Sequence, residues 1–243
     1  FRPVDTKADD EVAKQGSVIE AKKAYTSPAI GDKITNDGWG EPAIKVDKNS
    51  YNTSLYRHNA DPEDCSMTIY TVWDENNLYI GVVSEETDVR GDEDSWEGDG
   101  LQFKISAGKT MSADAANIYF TLGADGTSVT IGSNKDEFKT CENGIVVEDG
   151  KMYASIAIPH SKLGMTAADL KDGAAYAFSI IRISATSEHE YAGWLAWGAF
   201  FGANNAYNAN SSVDNVIVLR DKIASQGSVI ESKRAFTAPA IGS

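Results

Sequence analysis

The stretch Glu85–Asp99, EETDVRGDEDSWEGD, sets eight carboxylates against a single Arg90. Carboxylates and carbonyls at irregular loop spacing suit Ca2+, which takes roughly six to eight hard oxygens in flexible geometry. Asp88, Asp92, Asp94 and Asp99 are the candidate ligands. The regular spacing of an EF-hand loop is absent, and a solvated acidic loop accounts for the same residues. Trp96 stands inside this loop, between Ser95 and Glu97 and outside any apolar run. An indole held there offers either a flat face to the axial C–H groups of a pyranose or a ring tucked back against its own sheet. Covering about 100 Å² of ring face at ~25 cal/mol/Å² yields roughly 2.5 kcal/mol. Trp194 and Trp197 are three apart in one strand-like run, so they point to opposite faces, one to the core and one outward. Trp39 and Trp73 read as core residues.

Catalytic chemistry finds little support. The chain has no GxSxG elbow, no phosphate-cradling glycine loop between strand and helix, and no HExxH pair. Its acidic residues cluster in one loop rather than splitting between strand ends as a glycosidase pair does. Cys65 and Cys141 lack zinc spacing and could pair only with each other in an oxidising compartment.

The elements that must position these side chains are strands. Met67–Trp73 and Leu78–Val83 flank a loop at Asp74-Glu75-Asn76-Asn77 and read as a hairpin. Further runs follow at 100–106, 117–122, 127–131, 144–148, 151–158, 175–184, 193–201 and 213–219. Asp149-Gly150 between two of them is a two-residue turn that needs positive φ. About ten strands with turn residues at nearly every break give an all-β chain, an antiparallel β-sandwich. Only Asp9–Lys23 and a short turn at Ser161–Leu163 read as helical.

The net charge is 22 − 36 = −14, a field that repels nucleic acid and anionic membrane surfaces. No run of about 20 apolar residues is present, so membrane insertion is not expected. Residues 15–32 (QGSVIEAKKAYTSPAIGD) recur at 226–243 (QGSVIESKRAFTAPAIGS) with 13 of 18 positions identical. The expected organisation is a linker or tail of a preceding module at 1–14, one domain at 15–220, and a linker with the start of a following repeat at 221–243. Two ends of one domain that happen to be alike would give the same match.

Four phrases in order carry a resemblance. Pro28-Ala29-Ile30-Gly31-Asp32 through Asp37-Gly38-Trp39 resembles the opening of family 9 carbohydrate-binding modules, and Val72–Ile80 is similar to their "A-x-D-x-x-x-L-Y" hairpin. Trp96 with Gly100–Ile105 resembles "W-x-x-D-x-V-E-I-F", and Ala157-Ile158-Pro159, Leu163-Gly164, Gly173 and Arg182 resemble "A-I-P-x-x-x-L-G … G … R". The resemblance covers about residues 18–220. It implies a jelly-roll-like sandwich with structural calcium and a sugar held between two aromatic rings, often at a chain end. It also implies a non-catalytic module of a secreted enzyme, attached to a glycoside hydrolase such as a xylanase, that binds xylan- or cellulose-type plant polysaccharide. By position Trp96 is the first ring and Trp194 the second, with Trp197 as the substitute. Gln102 stands where the family often has Glu, and Asn117 and Tyr119 on a neighbouring strand are further polar contacts. Gly31-Asp32 departs from the family's Asp-Gly. The competing reading is a structural spacer or adhesion repeat of a cell-surface protein, without sugar binding.

Overall fold

The computed structural model describes residues 18–50, 53–57, 66–85, 90–91, 98–122, 129–187, 190–198 and 215–223. Residues 1–14 and 224–243 of the expected linkers lie outside that range, as does Cys65. The strands are β1 (Val18–Lys23), β2 (Ile44–Val46), β3 (Thr53–Arg57), β4 (Met67–Trp73), β5 (Asn77–Glu85), β6 (Gly100–Ala107) and β7 (Ala116–Leu122). They continue with β8 (Val129–Ser133), β9 (Glu142–Glu148), β10 (Lys151–Pro159), β11 (Ala175–Ser187), β12 (Glu190–Trp197) and β13 (Asn215–Ile223).

Neighbouring strands run in the order β8-β7-β6-β11-β13-β1-β4-β5-β10-β9, with β12 joining β11 to β3 and β2 beside β4. β11 makes the corner. Its first residues, Ala175–Phe178, pair with β13, and from Ile180 the same strand pairs with β12. The two halves therefore fold over one core, a β-sandwich. Alternation supplies that core: Leu101, Phe103 and Ile105 from β6, Ile118 and Phe120 from β7, Ile80 and Val82 from β5, Ile156 and Ile158 from β10. Trp197 belongs to it, 6.3 Å from Phe178, which lies 5.8 Å from Phe103. Such aromatic pairs contribute ~0.5–1.5 kcal/mol each beyond their area.

The sandwich is not purely antiparallel. β1 runs parallel to both β13 and β4. Its residues fall within the stretch expected to be helical, and the strand wins because Ile19 and Ala21 alternate into the core while Glu20 points away. A helix there would also leave the backbone edge of β13 open. The other local readings hold: Asp149 and Gly150 have φ of 54° and 71°, and a 3-10 turn follows Pro159 at His160–Leu163. Trp39 and Trp73 are buried.

One buried polar link fastens the β4–β5 turn to the far half. His160 Nε2 donates to the Asp74 carbonyl at 2.9 Å, because a carbonyl only accepts. Nδ1 is then the acceptor for the Tyr176 hydroxyl at 2.6 Å. Burial pushes the His160 pKa below its ordinary 6.5 and the Tyr176 phenol upward. The Asp74 carboxylate is opposed by burial, yet donors on Tyr79, Asn77, Asn76 and Ser27 hold it below the usual range.

Candidate functional site

Because Leu101, Phe103 and Ile105 point inward, Gly100, Gln102 and Lys104 face the other way. The same parity turns Asn117, Tyr119 and Thr121 of β7 outward, and Trp194 and Ala196 of β12. The ladders then assemble one surface. Gln102 lies opposite Tyr119 on one side and Ile181 on the other, and Ile181 lies opposite Ala196. One row along, Gly100, Ile183 and Trp194 stand in line. Four of the expected ligand residues, Gln102, Asn117, Tyr119 and Trp194, thus come to one face from three strands.

These side chains are held in place. Gln102 Nε2 donates to Asn117 Oδ1 at 3.0 Å. The Asn117 backbone is fixed by Asn134, whose Oδ1 accepts its N–H at 2.8 Å. Tyr119 lies over Gly132: a Cβ on that glycine would fall 1.7 Å from the Tyr119 Cζ. Only glycine leaves the ring its place. Trp194 differs from the sequence expectation. Its parity is outward, but its ring is 6% exposed and packs with Ile181, Ile183 and Ala196. Trp197, the substitute ring, is 0% exposed in the core and cannot act as a platform for a ligand.

Asp99, one of the expected cation ligands, is a buried structural hub. Its Oδ1 accepts from the Ala185 N–H at 3.0 Å and lies 3.4 Å from an Arg182 guanidinium nitrogen. Its Oδ2 accepts from the Arg90 N–H at 2.7 Å, and its own N–H donates to the Arg90 carbonyl at 2.8 Å. Arg182 Nε also donates to Ser84 Oγ at 3.1 Å. A carboxylate engaged by a guanidinium and two amides has little left for a hard cation. The bonds between Arg90 and Asp99 instead close the neck of the acidic loop that carries Trp96. Sequence reasoning missed this pair; its signal was a lone Arg182 inside the apolar run SIIRI.

Trp96, Asp88, Asp92 and Asp94 lie outside the described residues. Trp96 precedes Gly100 by four positions, and Gly100 shares its cross-strand row with Trp194. Among the described residues no group of three or more His, Cys, Asp and Glu side chains could hold a metal ion. Cys141 is buried with a free thiol, which burial pushes up in pKa. A recess of about 390 Å³ beside Ser106, Asp114 and Lys135 lies at the far end of β6 and is lined by none of the expected ligand residues.

No protein-family model matches the sequence, and neither does any curated protein. Solved structures do match. A family 9 carbohydrate-binding module from Caldicellulosiruptor kristjanssonii in complex with cellotriose shares 15% identity at a TM-score of 0.54, covering 88% of this chain and 97% of that one. A family 9 module of the same organism in complex with glucose shares 14% identity at a TM-score of 0.50, over 86% and 100% of the two chains. A protein of Bacteroides uniformis ATCC 8492 shares 12% identity at a TM-score of 0.51, over 84% and 99%. The fold is that of the family 9 modules.

Proposed function

We propose that this chain is a non-catalytic carbohydrate-binding module that takes cellulose- or xylan-type glycans, or their chain ends. The face formed by Gln102, Asn117, Tyr119 and Trp194 is the binding surface, with Trp96 as the first ring and Trp194 as the second. The observation that carries this reading is the gathering of those four side chains on one outward sheet face from β6, β7 and β12. The fold neighbours hold cellotriose and glucose, which agrees with that chemistry. Two open ring faces would contribute about 5 kcal/mol before hydroxyl hydrogen bonds and ordering costs; with Trp194 6% exposed, the Trp96 face carries most of this, and Kd values toward the millimolar end are expected. The module belongs, in this reading, to a secreted polysaccharide-degrading enzyme. Calcium is part of the same proposal, with Asp88, Asp92, Asp94 and Asp99 as its candidate ligands, of which Asp99 also pairs with Arg182.

Calorimetric titration with cello- and xylo-oligosaccharides, with calcium and then with chelator, tests this. One site per chain, lost in Trp96→Ala while the melting curve is kept, is the expected result. No heat with any neutral glycan at concentrations that reveal millimolar binding would overturn it. One observation favours the spacer reading instead: Trp194 at 6% exposure presents little ring face to a ligand.

A further inference from the structure

β1 sits in a slot between β13 and β4. It pairs with β13 along its whole length, from Val18 opposite Val216 to Lys23 opposite Ile223. On the other side its backbone pairs with β4 at Lys22 and Lys23, and the Thr71 hydroxyl of β4 donates to the Glu20 carbonyl at 3.0 Å. Beside its first half a cavity of about 150 Å³ opens between Val18, Ile19, Glu20 and Thr71, Val72, Trp39. Beyond the strand the chain docks at three points. The Ala24 N–H donates to the Trp73 carbonyl at 2.7 Å, Pro28 is packed against Gly38, and the Gly31 N–H donates to Ser155 Oγ at 2.8 Å.

The second copy of this segment keeps the docking residues. Ile19, Ala24, Pro28 and Gly31 correspond to Ile230, Ala235, Pro239 and Gly242. Of the five substitutions, those at Tyr25, Ser27 and Asp32 fall on exposed positions, and Lys23 to Arg234 keeps its charge. Only Ala21 to Ser232 changes a buried site. Residues 226–243 thus carry what the β1 slot requires. They cannot fill the slot of their own domain. A strand parallel to its predecessor in the same sheet needs a crossover of about a dozen residues or more. Only residues 224–228 separate β13 from Val229, the counterpart of Val18.

We propose that residues 226–243 are a second β1, which enters the slot between β13 and β4 of another copy of this module. The copy's own β1 is tethered beside that slot and has a methyl where Ser232 has a hydroxyl, so the incoming strand takes over only where β1 is weakened. The test uses the full chain with Ile19→Asp, Ile230→Asp, and both. Ile230→Asp alone is expected to stay a folded monomer. Ile19→Asp is expected to keep its near-ultraviolet dichroism and a cooperative melt, and to sediment at a mass that rises with protein concentration. The double variant should lose both that mass increase and the cooperative melt. A peptide of residues 224–243 should then bind the double variant saturably, and at least tenfold more tightly than the same peptide with Ile230→Asp. If Ile19→Asp is monomeric, or behaves like the double variant in mass and melting, or if the two peptides bind alike, the proposal fails.

Discussion

Asp99→Ala should be among the most damaging single substitutions in the chain. Both members of the Asp99–Arg182 pair have side chains 1% exposed. Removing one partner of such a pair leaves an uncompensated buried charge, which costs about 3–5 kcal/mol. Asp99 also accepts the N–H groups of Arg90 and Ala185, and hydrogen bonds to a charged acceptor contribute about 1.5–3 kcal/mol each. These contributions overlap, so ~4 kcal/mol is the working figure. For a domain of this size that is a drop of about 8–16 °C in Tm. Arg182→Met should cost less, because the Asp99 carboxylate keeps its two amide donors. Urea unfolding of the parent, Asp99→Ala, Arg182→Met and the double variant closes a thermodynamic cycle, with an expected coupling of ~1–3 kcal/mol. An Asp99→Ala loss under about 1 kcal/mol, or a coupling under about 0.5 kcal/mol, would refute the hub assignment. Asp99→Asn adds a functional arm: it preserves the side-chain shape but weakens the bond to the Arg90 N–H, so glycan affinity should fall although no residue of the proposed binding face is altered.

Other substitutions probe the face and the core. Gly132→Ala places a methyl inside the Tyr119 ring and should cost about 1–3 kcal/mol through overpacking, with weaker glycan binding in the same titration. Trp194→Ala should not be neutral for folding: losing a buried Trp costs about 3–5 kcal/mol, so its melting curve must be read beside its binding curve. His160 supplies a pH dependence. Its folded pKa lies below 6.5, so above that pH the ring is neutral in both states, while below it the unfolded ring takes the proton first. Stability should therefore fall on acidification below pH 6.5 by up to ~1.4 kcal/mol per pH unit, until the folded pKa is reached. Subtracting the profile of His160→Gln isolates this share; identical slopes in the two proteins between pH 6.5 and 5 would exclude it.

The strands from β4 onward were legible because alternation is a local signal and turn residues such as Asp149-Gly150 punctuate it. β1 was not. Its polar Glu20, Lys22 and Lys23 resemble a solvated helix until β13 and β4 are brought to either side, and that requires pairing residues about 200 positions apart in sequence. Position in the resemblance nominated Gln102, Asn117, Tyr119 and Trp194, and the ladders place all four on one face, but a sequence position says nothing of what covers a face, and Trp194 is covered. Asp99 shows the converse limit: within an acidic run it reads as a cation ligand, and nothing local signals its ion pair with Arg182, 83 residues away.

The burial of Trp194 also sets what sugar binding would demand. One ring face returns roughly 2.5 kcal/mol, whereas association costs at least ~4 kcal/mol in lost translational and rotational freedom. A lone aromatic on this face therefore falls short, even with Gln102 and Asn117 offering hydrogen bonds that exchange against water for only about 1 kcal/mol each. Binding at useful affinity needs a second ring that is both near and preorganised. Chain position nominates Trp96, four residues before Gly100 in the Trp194 row. The bonds between Arg90 and Asp99 anchor the two ends of the segment 91–98 that carries it. On the proposed reading, the Asp99–Arg182 ion pair adds nothing to hydroxyl recognition yet fixes one anchor of the segment that carries Trp96, so Asp99→Ala should weaken glycan binding although no residue of the proposed face changes.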